Sequence, residues 1–297
     1  MRFRDFVSTG PVLQLGLLVG RYLSRRVGYG LAGLISSVIA RLRPEIYRVV
    51  LANLSQVMGP QVSRRDLNRT ARQVFFHAGQ NYYDFFRALE LPIDLQRQAV
   101  SLPAALIEHI RSSASKKRGV LLVGPHVSNF NMVILALGAY GVPIQLLSVA
   151  RPSQAYRAWN QMLEQGSMHV TPISAESLKV AIRRLRQGGV VFTGADRPVP
   201  GDQAEIAFFG RSSLLPTGPA RIALMSDALV IVGACSYDPT RGYVLEITGP
   251  VEMVRTGDRQ ADILLNAGRL AAMMENYVRA RPEQWLMFYP VWEEVTR

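Results

Sequence analysis

One cysteine stands among 297 residues, so no disulfide framework holds this chain together. That residue, Cys235, closes an apolar, strand-like run that begins at Ala228, and it reads as a reduced core thiol. Glycine (24) and proline (17) are too few for a collagen-like chain. Charged residues reach only 19% against 48% hydrophobic, which excludes a disordered chain. The four histidines are His77, His109, His126 and His169, and none stands at metal-ligand spacing from another His or from the Cys. There is no G-x-S-x-G elbow and no P-loop. No apolar run reaches the roughly 18 residues of a membrane span.

Positive charge, by contrast, is plentiful. Lys and Arg number 34 against 22 Asp and Glu, a net charge of +12. The surplus has an address. Residues 1–118 carry 18 basic and 7 acidic side chains, and residues 119–297 carry 16 and 15. A basic N-terminal region therefore precedes a nearly neutral remainder. Such a surface attracts phosphates, of nucleic acid or of anionic lipid. Zinc-finger spacing, an RNP-like aromatic strand and a Lys-rich helix are all missing, so no nucleic-acid partner is expected.

The first residues favour lipid. Pro11 to Gly20 is apolar except Gln14, then come Arg21, Arg25 and Arg26, and Val27 to Ala40 is apolar again. As a helix the second run would reach roughly 21 Å, short of a bilayer core of about 30 Å. Arg41, Arg43 and Arg48 follow. This is the pattern of a helix pair lying in a membrane interface, with Arg heads at the phosphates. A pair of core helices would carry much of the same pattern. Gly28-Tyr-Gly-Leu-Ala-Gly33 matches G-x-G-x-x-G, but Arg-rich helical residues precede it instead of a strand. Its glycines read as close helix packing or a bend, not a dinucleotide site.

Residues 64–90 read as a long helix rich in Phe and Tyr, ended by Pro92. From residue 119 strands and helices alternate. Strands are expected at 119–124, 142–149, 168–173, 190–193, 205–209, 229–236 and 243–248. Helices are expected at 129–140, 153–165, 174–187, from Pro216-Thr-Gly-Pro219 onward, and at 259–280. The fold class is α/β: a largely parallel central sheet flanked by helices, with an N-terminal helical membrane-associating module over residues 1–118 and a core over 119–297, forming one integrated domain.

Among the polar residues, His126 stands out by context. It follows the strand GVLLVG and a proline, and it precedes a helix. Ligands of open α/β sheets bind beyond the carboxyl ends of strands, and a neutral imidazole there can act as a general base. A loop histidine without a role would occupy the same place.

At this point the chain resembles a known family. His126-Val-Ser-Asn-Phe-Asn131 is similar to the H-x4-D/E motif of the lysophospholipid acyltransferase superfamily. The wider resemblance is to the branch of bacterial lipid A biosynthesis and phosphatidylinositol mannoside acyltransferases. It runs through Ala52-Asn-Leu54, Gly194-Ala-Asp-Arg197, Phe208-Phe-Gly210, Pro216-Thr-Gly-Pro-Ala220, Arg281-Pro-Glu-Gln-Trp285 and Tyr289-Pro-Val-Trp292.

The resemblance implies transfer of a fatty acyl group from an acyl thioester donor, acyl-CoA or acyl carrier protein, to a hydroxyl of a phospholipid or glycolipid acceptor. It implies His126 as the base and a peripheral or monotopic place on an anionic membrane surface, on the cytoplasmic face. No metal and no bound cofactor are implied, since the thioester is a substrate. The chain departs from the motif at one position: the carboxylate is replaced by Asn131. An Asn can fix the imidazole tautomer but cannot balance an imidazolium charge. Either the enzyme is slow, or another carboxylate substitutes, or the chain is a non-catalytic lipid-binding relative. Glu205 is the first choice of substitute and Asp196 the second. Asp196 and Arg197 are otherwise expected to line the substrate site or to pair with each other. Arg151 is a candidate for a donor or lipid phosphate. Thr217 and Gly218, at a helix N-terminus, are candidates for a phosphate or the thioester oxyanion. Ordinary helix capping accounts for them equally well.

Overall fold

Valines and leucines bounded by glycines form the centre of the molecule. The computed structural model describes residues 16, 18–148, 157, 160, 164, 168–199 and 201–292. Strand β2 (Val120–Gly124) is buried along its whole length, between β8 (Leu229–Asp238) and β5 (Val190–Gly194). Val120 and Leu122 enter one core, while Leu121 and Val123 enter the other. The strand's period of two is invisible in a run that is apolar throughout, because helices cover both faces.

The full sheet has the order β1-β9-β8-β2-β5-β3-β4, with β1 (Val100–Ser101), β3 (Ile144–Ser148), β4 (Met168–Pro172) and β9 (Gly242–Val251) completing it. All its pairs are parallel except β8 with β9. One layer against it holds α3 (Arg64–Leu89), α5 (Ala104–Lys116) and α6 (Phe130–Ala139), with α4 (Ile93–Gln98) beside them. The other holds α7 (Ala175–Arg186), α8 (Gly218–Ser226) and α9 (Arg259–Ala280). This is the expected α/β class with a largely parallel sheet. Most expected elements fall within two or three residues of the observed ones. Helices α4 and α5 and strand β1 were not expected. The helix expected at 153–165 lies largely outside the described residues.

A second sheet pairs β6 (Gln203–Phe208) with β7 (Arg211–Pro216), where the sequence indicated one strand. Phe209 (φ 50°) and Gly210 (φ 74°) make the two-residue turn, and two positive φ angles match the right-handed twist of the strands. Phe209 is held there by three contacts. Its N–H donates to Glu275 Oε1 at 2.7 Å, its carbonyl accepts from Gln56 Nε2 at 2.8 Å, and the Arg279 guanidinium lies over its ring.

Two N-terminal helices, α1 (Arg25–Leu42) and α2 (Glu45–Met58), pack against α3. The Ser63 hydroxyl accepts from the Asp66 N–H and so caps α3. The aromatic face of α3 is core: Phe75, Tyr83, Phe85 and Phe86 are buried. Helix α1 meets α3 through small residues four apart, Gly28, Ala32 and Ser36. A Cβ on Gly28 would collide with the Tyr83 ring, whereas Gly30 and Gly33 have open space around them. Close packing therefore accounts for one glycine of that motif. The outward face of α1 is apolar. Val27, Leu31, Leu34, Ile35, Val38 and Leu42 are all exposed, Leu34 at 63% and Leu42 at 73%. Among the described residues, no helix is long and apolar enough to cross a membrane.

Candidate active site

Two parallel neighbours end in register. Gly124 of β2 stands opposite Gly194 of β5. Two residues beyond each glycine comes a polar side chain, His126 after one strand and Asp196 after the other, so the sheet delivers both to one point. His126 Nδ1 lies 2.5 Å from Asp196 Oδ1. The other carboxylate oxygen, Oδ2, accepts the His126 backbone N–H at 2.8 Å and the Trp285 indole N–H at 2.8 Å. Gly194 must lack a side chain, because a Cβ there would come within 2.8 Å of His126 Cε1.

Asp196 is fully buried. Burial would raise its carboxyl, but the charge of His126 and the hydrogen bonds from His126 and Trp285 outweigh this, and the group lies below the usual carboxylate range. A buried carboxylate that stays ionised beside an imidazole fixes the ring. With Nδ1–H donating to Asp196, Nε2 is left as the free base.

The loop carrying His126 is tied down by the C-terminal segment. Ser128, at φ 49°, donates its N–H to the Gln284 carbonyl at 2.7 Å. Leu286 donates to the His126 carbonyl at 2.8 Å. The Gln284 amide in turn bonds both backbone groups of Tyr237, at 2.7 and 2.8 Å. Asn53 of α2 bonds the carbonyls of Met287 and Tyr289 and the N–H of Val291. The Asn of Ala52-Asn-Leu54 thus holds the segment that follows Trp285, and Gln284 and Leu286 hold the histidine loop.

The imidazole faces a crevice of about 720 Å³, open to solvent and lined by Phe130, Leu146, Phe192, Gly194 and Arg197 among others. Phe130 and Phe192 stack at 5.8 Å. On the sheet side Leu146, Leu147 and Phe192 are joined by the polar Ser148 and Thr193. The Arg197 guanidinium lies over the Tyr289 ring at 5.0 Å.

The expected site residues separate. His126, Asp196 and Arg197 come together. Asn131 does not join them. It stands on the first turn of α6, its Oδ1 is buried without a hydrogen-bond partner among the described residues, and the imidazole is held by Asp196 instead. Glu205 is exposed on β6, where it accepts from the Ser212 hydroxyl at 3.5 Å, so the second choice of carboxylate and not the first lies against the ring. Asp196 bonds His126 and Trp285; no ion pair between it and Arg197 is seen among the described residues. At the N-terminus of α8 the anion is the protein's own. Asp202 Oδ1 accepts from the Thr217 hydroxyl at 2.7 Å and from Arg221 at 3.3 Å, and Oδ2 lies against Gly218. The Thr217 side chain makes no capping bond to the first turn of α8; its hydroxyl is turned to Asp202 instead, so the expectation of ordinary side-chain capping is corrected. Arg151 lies outside the described residues.

Trp285 was quoted in the sequence only as part of a motif. Its donation to Asp196 is a contact across 89 residues, and no spacing announces such a contact. The pairing of His126 with Asp196 did leave a signal: two apolar strands, each ending in Gly and each followed two residues later by a polar side chain.

An α/β sandwich with a histidine–carboxylate pair at the carboxyl end of its central strands, over an apolar crevice, has the make-up of an enzyme for substrates with apolar tails. The model of the bacterial lipid A biosynthesis acyltransferase family matches residues 12–294. The chain belongs to that family and is an O-acyltransferase acting on lipid. It is 26% identical over 296 residues to the phosphatidylinositol mannoside acyltransferase of Mycolicibacterium smegmatis, covering 95% of this chain and 92% of the relative. The phosphatidylinositol mannoside acyltransferase of Mycobacterium tuberculosis is 24% identical over 190 residues, covering 63% of this chain and 58% of the relative. The lipid A biosynthesis lauroyltransferase of Escherichia coli is 26% identical over 193 residues, covering 62% and 59%.

Proposed function

We propose that this enzyme moves a fatty acyl group from an acyl thioester, acyl-CoA or acyl carrier protein, to a hydroxyl of a membrane glycolipid or phospholipid, with His126 as general base. The observation that carries the reading is the His126–Asp196 pair at the mouth of an apolar crevice. The acceptor hydroxyl gives its proton to His126 Nε2 as its oxygen attacks the thioester carbonyl. Asp196 stabilises the imidazolium that results. The tetrahedral intermediate collapses, the C–S bond breaks, and the imidazolium returns the proton to the departing thiolate. The products are an ester and a free thiol. The crevice takes the acyl chain against Phe130, Leu146 and Phe192. Asp196 supplies the carboxylate that Asn131 does not, and this removes the reason for reading the chain as a non-catalytic lipid binder.

Two features support a peripheral place on the cytoplasmic face of an anionic membrane. The exposed side of α1 is a stripe of Val, Leu and Ile. Exposed Arg26, Arg41, Arg43 and Arg48 stand along and just beyond it. Apolar side chains in the acyl region and guanidinium groups at the phosphates make an interfacial helix. Whole-length similarity to a phosphatidylinositol mannoside acyltransferase favours an acceptor of that chemistry, an anionic lipid bearing sugar hydroxyls.

The test is transfer from radiolabelled palmitoyl-CoA to phosphatidylinositol mannoside or lysophospholipid in mixed micelles. His126→Ala is expected to lower the rate by about ten-thousandfold. Transfer at the wild-type rate would overturn the assignment. Mass spectrometry of membrane lipids with and without the gene, read for one lipid class that shifts by one acyl chain, identifies the acceptor.

A further inference from the structure

We infer that Trp285 is a positioning residue for the acyl-transfer chemistry, acting through Asp196. The inference rests on the proposed role of His126 but concerns a group that never touches substrate.

The carboxylate of Asp196 divides its work. Oδ1 faces only the imidazole, while Oδ2 takes two donors, the His126 backbone N–H and the Trp285 indole N–H, each at 2.8 Å. With both donors on Oδ2, the plane of the carboxylate is fixed and Oδ1 stays on Nδ1. Without the indole, one backbone donor remains and the carboxylate can turn about its χ2 axis, which is a soft torsion. The site is built for this donor. Trp285 is 1% exposed and is wedged against Phe208 and Phe209. Its backbone pairs with Val127, the residue after the base. One short segment therefore orients both members of the pair, the carboxylate by the Trp285 side chain and the histidine loop by the main chain of its neighbours Gln284 and Leu286. Buried Trp keeps its N–H satisfied as a rule; here the acceptor belongs to the carboxylate whose other oxygen holds the proposed base.

Loss of the indole donor also leaves the Asp196 charge less shared, so it holds the proton on the imidazole more tightly. The dyad then titrates at a higher pH, and the acid limb of activity moves up with it. Other ionisable groups near the pair come from three elements. Arg197 follows β5, and Tyr289 lies beneath its guanidinium. One layer out on α9, Glu275 accepts from Phe209 N–H and Arg279 lies over the Phe209 ring. None of these changes in the variants below.

The test uses the full chain in detergent micelles, with ¹⁵N-histidine NMR as the first readout and palmitoyl-CoA turnover as the second. Two variants remove the donor: Trp285→Phe, and replacement of Trp285 by benzothienylalanine, which substitutes sulfur for the indole N–H and keeps the shape. Each is expected to shift the His126 ring ¹⁵N resonances and to move the midpoint of the acid limb of activity upward. Each is expected to lower kcat by about tenfold with KM unchanged. In an Asp196→Asn background the same change should cost no further activity, because the group it acts through is already gone. Unmoved ring resonances in the benzothienylalanine protein would overturn the inference, and so would an equal loss in both backgrounds, which is the mark of a merely structural role. The NMR result stands whether or not palmitoyl-CoA is a donor, so failure of this inference and failure of the proposed reaction are read separately.

Discussion

Helices α1 and α6 are both rich in Leu, Ile, Val and Ala, yet they use that composition in opposite ways. Seven of the ten residues of α6 are buried, because the sheet lies on one side and the N-terminal helices on the other. Helix α1 buries Gly28, Ala32 and Ser36, sets Tyr29 and Ile39 beside them against the core, and leaves Val27, Leu31, Leu34, Ile35, Val38 and Leu42 outside. Apolar content alone does not say where a helix sits. The difference lies in the small residues at intervals of four and in the arginines at both ends. It also divides the molecule's labour. On the proposed reading, the end of the sheet beside α6 holds the reacting groups, and the outer face of α1 places them near lipid. If the division is sound, changes at one place alter chemistry in any medium, and changes at the other alter only work on a bilayer.

The largest effect belongs to Asp196→Asn. Two donors point at Oδ2, so the new amide must turn its oxygen toward them and its NH₂ toward His126 Nδ1. The ring then carries its proton on Nε2 and has no base to offer. Turnover should fall by about ten-thousandfold, as in the serine protease case of the wrong tautomer, with vesicle binding unchanged. Loss of binding as well would break the comparison. Leu34→Glu combined with Ile35→Glu sits at the other pole. It should weaken flotation with anionic vesicles by about a hundredfold, from lost apolar burial and added repulsion. Turnover in detergent micelles should not change, since neither side chain contacts the core. A fall in micelles would mean that α1 takes part in the chemistry.

The α/β class, the parallel sheet and most element positions were legible, because strands bounded by glycine and helices bounded by Ser, Asp or Pro state their ends locally. The β6–β7 hairpin was half legible: β7 is short, partly polar and runs into the proline that opens α8, so its pairing, not its composition, makes it a strand. His126 was legible from its place after a strand. Its partner was blurred by a motif. Counting five residues along the chain led to Asn131, whereas the register of β2 with β5 leads to Asp196. Thr217 and Gly218 showed a helix N-terminus but not the Asp202 that fills it. In each case what was missed is a pairing between segments that neither segment displays by itself.

A smaller effect sharpens the chemical pole. In Gly194→Ala the new methyl must displace His126 Cε1, which it would otherwise approach to 2.8 Å. Displacement of the imidazole by a fraction of an ångström should cost about tenfold to a hundredfold in kcat. Binding to vesicles should be unaffected, and the melting temperature should move little, because Ala is tolerated in a strand.

The smallest effect is the most discriminating. If Asn131 stood where the motif's carboxylate acts, Asn131→Asp would restore a missing charge and raise turnover many-fold. The geometry argues otherwise. His126 Nδ1 is already engaged by Asp196, and Asn131 Oδ1 is buried with no donor of its own among the described residues. A carboxylate there would gain no imidazole partner and would lose water, a cost that raises its own pKa instead of helping the base. The sign therefore runs against gain: kcat should stay within about twofold of wild type, with a slight loss of stability at neutral pH that eases as the pH falls and the new carboxyl is protonated. Steady-state turnover and a melting curve at pH 5 and pH 8 check both halves. A clear rise in kcat would show that α6 reaches the reacting histidine after all, and that the line between the dyad and the helix beside it has been drawn in the wrong place.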